Sequence, residues 1–153
     1  MKKLFALIVL SISLMSCNSM KKFNSDSLTE ISKGILTGAG EEGIEAQQRI
    51  ITSEAEWNAL VRKMNSVNNM SQNFKTNDID FSKEVVVAVF DKVMNTGGHS
   101  IWVSDVKTSE NEVQLMVSEK HPDGMATSVM TQPYYLAKMP KTDKKVVFKN
   151  AEL

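Results

Sequence analysis

The 153-residue chain has one cysteine, Cys17, and only two histidines, His99 and His121. A single thiol cannot form an internal disulfide bond, even in an exported compartment that would permit one. Two histidines and scattered carboxylates do not supply the three or four converging ligands of a zinc site, so we expect no metal and no other cofactor. Ser100 follows His99 but has no Gly-x-Ser-x-Gly pattern around it, and adjacent strand residues point to opposite faces. We therefore expect no catalytic residues and no enzyme.

The chain also lacks an excess of charge of either sign, with 18 basic and 18 acidic residues. Removal of residues 1–16, which include the basic residues Lys2 and Lys3, would leave a net charge of about −2. The clustered basic surface that is typical of nucleic-acid binding is missing, so we expect no nucleic-acid partner.

The only long apolar run lies at the N-terminus and has the features of a lipoprotein signal peptide. Residues 4–14 are too few to span a bilayer, which takes about 20 apolar residues. The run ends in Leu-Met-Ser-Cys at 14–17, which resembles the bacterial lipobox. We expect residues 1–16 to be cleaved and Cys17 to carry a diacylglycerol and a further acyl chain such as palmitate, which anchors the protein in the membrane. Asn18 favours, by analogy with enteric lipoproteins, the outer membrane of the bacterial cell envelope.

The remaining chain is long enough for one domain without disulfide bonds. Residues 18–27 are polar and without periodicity, so we expect residues 17–27 to be a lipid-anchored flexible tether and residues 28–153 to be the domain. Residues 84–90 are apolar at nearly every position, which predicts a central strand buried on both faces. The other predicted strands cover residues 30–36, 46–51, 100–106, 112–118, 129–139 and 145–149.

One helix is predicted over about residues 54–65. Ser53 and Glu56 form a Ser-x-x-Glu capping box, in which the carboxylate accepts a hydrogen bond from the N-cap amide. An apolar stripe at helical spacing follows at Trp57, Leu60, Val61 and Met64. Because strands do not alternate with helices, we expect an α+β fold: an antiparallel β meander of about five to seven strands with one packed helix, or alternatively a half-open barrel.

Five short motifs follow one another between residues 45 and 150. They are Glu-Trp at 56–57, Asp-Phe-Ser-Lys-Glu at 80–84, Thr-Gly-Gly-His-Ser-Ile at 96–101, His-Pro at 121–122 and Thr-Gln-Pro-Tyr at 131–134. In this order they resemble the PrcB C-terminal domain family, named for a subunit of a spirochaete outer-membrane protease complex. The chain departs from that pattern at His99, where tyrosine is usual, and in a shorter loop after His-Pro. The resemblance implies a non-catalytic exported module that takes part in proteolysis through complex formation.

Three segments are candidates for the partner-binding surface. Gly97 and Gly98 indicate a turn or bulge, which also lets a partner backbone approach closely. Two tyrosines follow Pro133, and strand alternation predicts that one of them is exposed beside flexible methionines, unless those methionines fill the core. The candidate residues are Gly97, Gly98, His99, Met125, Met130, Gln132, Pro133 and Tyr134.

From these features we expect a lipid-anchored, non-catalytic protein-binding module that associates with or stabilises an exported protease or another envelope protein. The alternative is a protease inhibitor that inserts the loop around residues 121–125 into an active-site cleft, as rigid small β domains do.

Overall fold

A computed structural model of the protein describes residues 23–151. This part contains seven strands and one α-helix, with two short 3₁₀ turns at Ser25–Ser27 and Met70–Asn73. The elements are β1 (Thr29–Leu36), β2 (Gln47–Ile51), α1 (Glu54–Met64), β3 (Glu84–Phe90), β4 (Ser100–Thr108), β5 (Glu112–Lys120), β6 (Gln132–Pro140) and β7 (Lys145–Asn150). The predicted α+β class and number of strands are confirmed.

The strands form two sheets that pack face to face, and the helix covers the outer face of the larger sheet. The first sheet has the order β1-β6-β3-β2 and is antiparallel throughout, and the second has the order β4-β5-β7. The domain therefore has three layers, with the four-stranded sheet in the middle. A middle sheet is covered on both faces, and this explains why β3 and β6 are apolar at nearly every position.

Two apolar cores lie on the two faces of the middle sheet. One core lies between the sheets, where alternate residues of β3 and β6 meet the inner face of β4 and β5. The other lies under α1, where Trp57, Leu60 and Met64 pack on the remaining residues of β3 and β6. The prediction that residues 84–90 form a central strand buried on both faces is confirmed.

The strand connections are not those of a simple meander. After β5 the chain leaves the second sheet, and β6 inserts between β1 and β3 in the first sheet. The chain then returns to the second sheet, where β7 runs in the same direction as β5 and pairs with it in parallel. The sequence predicted an antiparallel meander because strands do not alternate with helices, but here a strand of the other sheet makes the crossover between two parallel strands. The sheets do not close into a barrel within residues 23–151.

The helix begins with most of the predicted capping arrangement. The Ser53 hydroxyl accepts a hydrogen bond from the Glu56 amide (3.3 Å), as expected for an N-cap. The Glu56 carboxylate accepts from the amide of Thr52 (3.2 Å) and from the Ser53 hydroxyl (3.1 Å), instead of from the Ser53 amide. The Thr52 amide, followed by the Ser53 hydroxyl, lowers the pKa of Glu56.

The folded domain begins earlier than the sequence predicted. Phe23 is 3% exposed and packs into the core between the sheets, and its carbonyl accepts a hydrogen bond from the Thr108 hydroxyl (2.7 Å). The Ser25 hydroxyl donates to Asp105 (3.0 Å). Residues 23–27 are thus fixed to β4, and the prediction of a flexible tether is wrong for them because one aromatic side chain in a polar segment is enough to dock it.

The signal peptide predicted over residues 1–16, the lipidation of Cys17 and the remainder of the tether lie outside the described residues. Of the helices between residues 23 and 151, none combines the length and apolar character needed to cross a bilayer.

Candidate binding surface

Two loops meet at the end of the domain where β4 begins and β5 ends. The Gly97 amide donates to the Thr127 carbonyl (3.0 Å), and Met94 and Thr131 exchange two backbone hydrogen bonds (2.7 and 2.9 Å). The Thr131 hydroxyl also donates to the carbonyl of Thr96 (2.9 Å). We call these two loops, residues 91–99 and 121–131, the loop end of the domain. Two of the three segments expected at the binding surface are therefore neighbours.

The loop end exposes apolar side chains. Five large hydrophobic side chains in the described part of the chain are exposed, and three of them lie between residues 125 and 130. These three, which we call the apolar patch, are Met125 (104% exposed), Val129 (41%) and Met130 (44%). The alternative that the methionines fill the core is therefore wrong for Met125 and Met130.

The two glycines of the loop end let the loops pack closely. Gly98 has a φ of +85°, which favours glycine, and a Cβ there would lie 3.1 Å from the Cβ of Pro122. A Cβ on Gly97 would lie 3.3 Å from Cγ1 of Val129. Both glycines therefore have a structural role, and Gly97 lies next to Val129 of the apolar patch.

The third candidate segment lies in the interior. Gln132 is 1% exposed, Pro133 is buried and Tyr134 is 2% exposed. The side-chain amide of Gln132 donates to the carbonyls of Ile44 and Asp91, both at 2.8 Å, and so connects the first turn of the domain to the end of β3. These three residues position the loop end but do not form its surface.

The expectation that one tyrosine of β6 is exposed is wrong. Tyr134 and Tyr135 do point to opposite faces, but each face of the middle sheet is covered, by α1 on one side and by β4 and β5 on the other. Burial raises the pKa of Tyr134, and the hydrogen bond to Ser32 opposes this. Burial, followed by the charge of Glu30, raises the pKa of Tyr135 to about 12.

The two histidines of the chain meet at the same end, a contact that the sequence analysis missed. Nδ1 of His99 lies 3.0 Å from Nδ1 of His121, and Nε2 of His99 lies 2.8 Å from the Thr96 hydroxyl. Nε2 of His121 lies 3.7 Å from the carboxylate of Glu119. Within the described residues no hydrogen bond joins His99 to Ser100.

Across residues 23–151, no three His, Cys, Asp or Glu side chains converge in a way that could hold a metal ion. Two pockets adjoin this end: one beside His121 and Glu119 has a volume of about 160 Å³, and one lined by Asp91, Ile101 and Glu119 has a volume of about 350 Å³. Small-molecule sites usually occupy about 300–1,000 Å³. The fold and the loop end together define a three-layer α+β domain with an exposed apolar patch on two loops that hydrogen bonds hold together.

Comparison with known protein families agrees with the resemblance seen in the sequence. A family model described as PrcB C-terminal matches residues 85–140, from the second residue of β3 to the last residue of β6. The match supports the family resemblance over these residues, a shorter span than the 45–150 of the sequence resemblance. Neither the curated proteins nor the solved structures include a significant match. The matched segment contains both loops of the loop end.

Proposed function

We propose that the protein is a lipid-anchored, non-catalytic module that binds an exported envelope protein, such as a protease, through the apolar patch of the loop end. The patch carries this proposal, because it is where apolar side chains concentrate on the described surface. Methionine side chains adapt to irregular partner surfaces, and exposed apolar residues grouped together mark interaction sites more often than isolated ones do.

The hydrogen bonds that hold the loop of the apolar patch favour binding without a large rearrangement. Thr127 and Thr131 are held by backbone hydrogen bonds to the neighbouring loop, and Gln132 fixes the start of β6. A loop that is already fixed loses less conformational entropy when a partner binds, and so more of the contact energy appears as affinity.

The position of the N-terminal segment supports the same function. Phe23 docks at Thr108, the last residue of β4, whereas the loop end adjoins Ser100, its first residue. Eight residue steps along a strand span about 26 Å. An anchor at Cys17, six residues before Phe23, would attach at the end of β4 remote from the loop end, and would present the apolar patch away from the lipid surface.

Co-purification tests this function. We would solubilise envelopes in detergent and compare wild-type protein with the triple variant Met125→Ser, Val129→Ser and Met130→Ser by quantitative mass spectrometry. Val67→Ser is the matched control, because Val67 is 42% exposed, much as Val129 is, but lies in the segment that follows α1.

The expected result is one exported protein that is recovered in stoichiometric amount with wild type and Val67→Ser and is depleted about tenfold or more with the triple variant. A loss of two or three anchor side chains worth 1 kcal/mol or more each would produce that change. Equal recovery with all three proteins would contradict the proposed surface.

A second function, inhibition of a protease by loop insertion, is favoured by one observation. Met125 is fully exposed and follows Gly124, whose φ is +95°, in a turn that contains Pro122. A bend that projects one fully exposed apolar side chain suits a protease specificity pocket. Purified full-length protein in detergent, assayed against serine, cysteine and metalloproteases, tests this: inhibition that Met125→Asp abolishes would support insertion, and no inhibition of any class would contradict it.

A further inference from the structure

The two histidines are opposite each other across the open end of the β4–β5 hairpin. The last registered pair of this hairpin is Ser100 and Lys120, so one step further along the ladder places His99 opposite His121. Directly opposite positions have Cβ atoms about 5 Å apart, within reach of two imidazoles. The ring centroids are 5.2 Å apart with an interplanar angle of 70°, and the two Nδ1 atoms face each other at 3.0 Å.

A β-bulge sets this register. On the turn side of the bulge the pairs are Thr108–Val113 and Asp105–Met116, whereas beyond it Val103 pairs with Val117. Without the extra residue at Ser104, the register of the turn side would continue and His99 would face Pro122. Bulges redirect side chains in this way. Just beyond the histidine pair, Gly98 lies so close to Pro122 that a Cβ on the glycine would be 3.1 Å from the Cβ of the proline. The pair therefore lies between this contact and the Ser100–Lys120 pair of the hairpin.

The outer neighbours of the two rings favour particular positions for the ring protons. The carboxylate of Glu119 lies 3.7 Å from Nε2 of His121, too far for a hydrogen bond, but its negative charge favours a proton on that nitrogen, which leaves Nδ1 of the ring with a free lone pair. The Thr96 hydroxyl both donates and accepts, so Nε2 of His99 is satisfied whether or not it is protonated. Two Nδ1 lone pairs can therefore converge on one point without leaving either Nε2 unpartnered.

This arrangement matches the requirements of metal-bound histidine. Histidine ligands usually donate a hydrogen bond from the N–H of their second ring nitrogen to a carboxylate, carbonyl or water, which fixes the ring orientation. Metal–nitrogen bonds of about 2.0–2.1 Å at a tetrahedral angle place two nitrogens about 3.3 Å apart. The observed 3.0 Å separation needs an opening of only a few tenths of an ångström. The side chain of His121 is 57% exposed, so an ion has access from solvent.

We propose that Nδ1 of His99 and Nδ1 of His121 bind one first-row transition-metal ion of the imidazole-preferring class, with Zn²⁺ and Cu²⁺ as the members to test. Ca²⁺ and Mg²⁺ are excluded because they take oxygen ligands. No proton is lost overall: the Nδ1 proton of the metal-free pair moves to Nε2 of the same ring, where the Thr96 hydroxyl accepts it. The remaining coordination positions take water. This site does not depend on the proposed function.

Titration calorimetry of full-length protein in detergent tests the site with ZnCl₂ and CuCl₂. The protein is prepared without a polyhistidine tag, and any free thiol is alkylated first, so that His99 and His121 are its only imidazoles and Cys17 is not a ligand. We expect one ion per chain, a loss of affinity of tenfold or more in His99→Ala and His121→Ala, and a smaller loss, up to about tenfold, in Glu119→Gln. Glu110→Gln, which removes an exposed carboxylate in the β4–β5 turn, is the matched control and should bind like wild type.

Nitrogen-15 spectra of the two imidazoles supply a readout that is independent of folding effects in the variants. Coordination as proposed shifts both Nδ1 resonances of the wild-type protein and leaves both Nε2 atoms protonated. No binding of either ion, binding that survives both histidine substitutions, or coordination through Nε2 would each overturn the proposal. His121→Gln gives a second check, because it keeps a polar side chain of similar volume and should fold yet not bind.

Discussion

The hydrogen bond between Ser32 and Tyr134 allows a quantitative test of the placement of Tyr134 in the core. The two oxygens are 2.9 Å apart, and the residues are 4% and 2% exposed. Gly34, the registered partner of Tyr134, makes room for the hydroxyl, since a Cβ on this glycine would lie 3.3 Å from it. The change to make is Tyr134→Phe, which removes only the hydroxyl and keeps the stacking of this ring on Phe90 at 6.0 Å.

Loss of the tyrosine hydroxyl leaves the Ser32 hydroxyl buried without a partner. An unsatisfied buried polar group costs about 1–3 kcal/mol, whereas replacement of both partners by apolar groups is close to neutral. We therefore expect Tyr134→Phe and Ser32→Ala each to lower the free energy of unfolding by about 1–2 kcal/mol. The double variant should lose clearly less than the sum, with a coupling energy of about 1 kcal/mol.

Urea denaturation followed by tryptophan fluorescence measures these differences, because Trp57 reports on the helix layer and Trp102 on the second sheet. Partner recovery with Tyr134→Phe should equal that with wild type, since the side chain does not reach the surface. A Tyr134→Phe variant that is as stable as wild type within about 0.5 kcal/mol, or single effects that simply add, would refute the buried hydrogen bond.

Three further predictions follow from the structure. Gly98→Ala should destabilise the protein by about 1–2 kcal/mol, because its φ of +85° is unfavourable for alanine and the added Cβ would lie 3.1 Å from Pro122. Thermal unfolding measures this loss. Gly43→Ala is the comparison, because Gly43 also has a positive φ but no atom within 4 Å of an added Cβ, so the difference between the two variants reports the crowding alone. Ser53→Ala should cost about 1 kcal/mol by removing the N-cap of α1, measured by urea denaturation, and no loss would contradict the cap. The pKa of Tyr135 is raised from 10 to about 12, so the stability that this residue contributes as a neutral phenol is complete below pH 10 and is lost as the pH rises towards 12. Ultraviolet titration of the phenolate, with denaturation at matched pH, should show that ionisation is coupled to unfolding between these two values. Titration of Tyr135 near pH 10 without unfolding would refute this prediction.

The elements of the fold were predictable because each has a local signal. The alternation in residues 112–118, the apolar run at 84–90 and the stripe on the helix all report which faces are buried. The order of strands in the sheets was not predictable in the same way. Nothing local in β7 states that it joins β5 in parallel, because that pairing follows from where β6 inserts.

The binding surface was predictable only in part, because the burial of a side chain depends on which elements cover it as well as on local sequence. The exposure of Met125 was left open by the sequence, because methionine suits both a core and an adaptable surface. The burial of both Tyr134 and Tyr135 depends on a second sheet that covers the other face of the middle sheet. The contact between the histidines had a signal in the sequence, namely their nearly equal distances from the gap between the predicted strands 100–106 and 112–118. The bulge at Ser104 sets the register of the strand pair at the histidines, and no residue pattern in the strand predicts this bulge.

Photocrosslinking in cells that produce the protein natively tests most directly whether the apolar patch contacts a partner. A photoreactive amino acid would replace Met130 in one strain and Val67 in the other, since both side chains are similarly exposed, 44% and 42%. We predict one discrete adduct to an exported protein at position 130 that is absent at position 67 and disappears when Met125→Ser and Val129→Ser are added. Adducts of the same pattern and yield at both positions, or none at position 130, would contradict a function that depends on this surface.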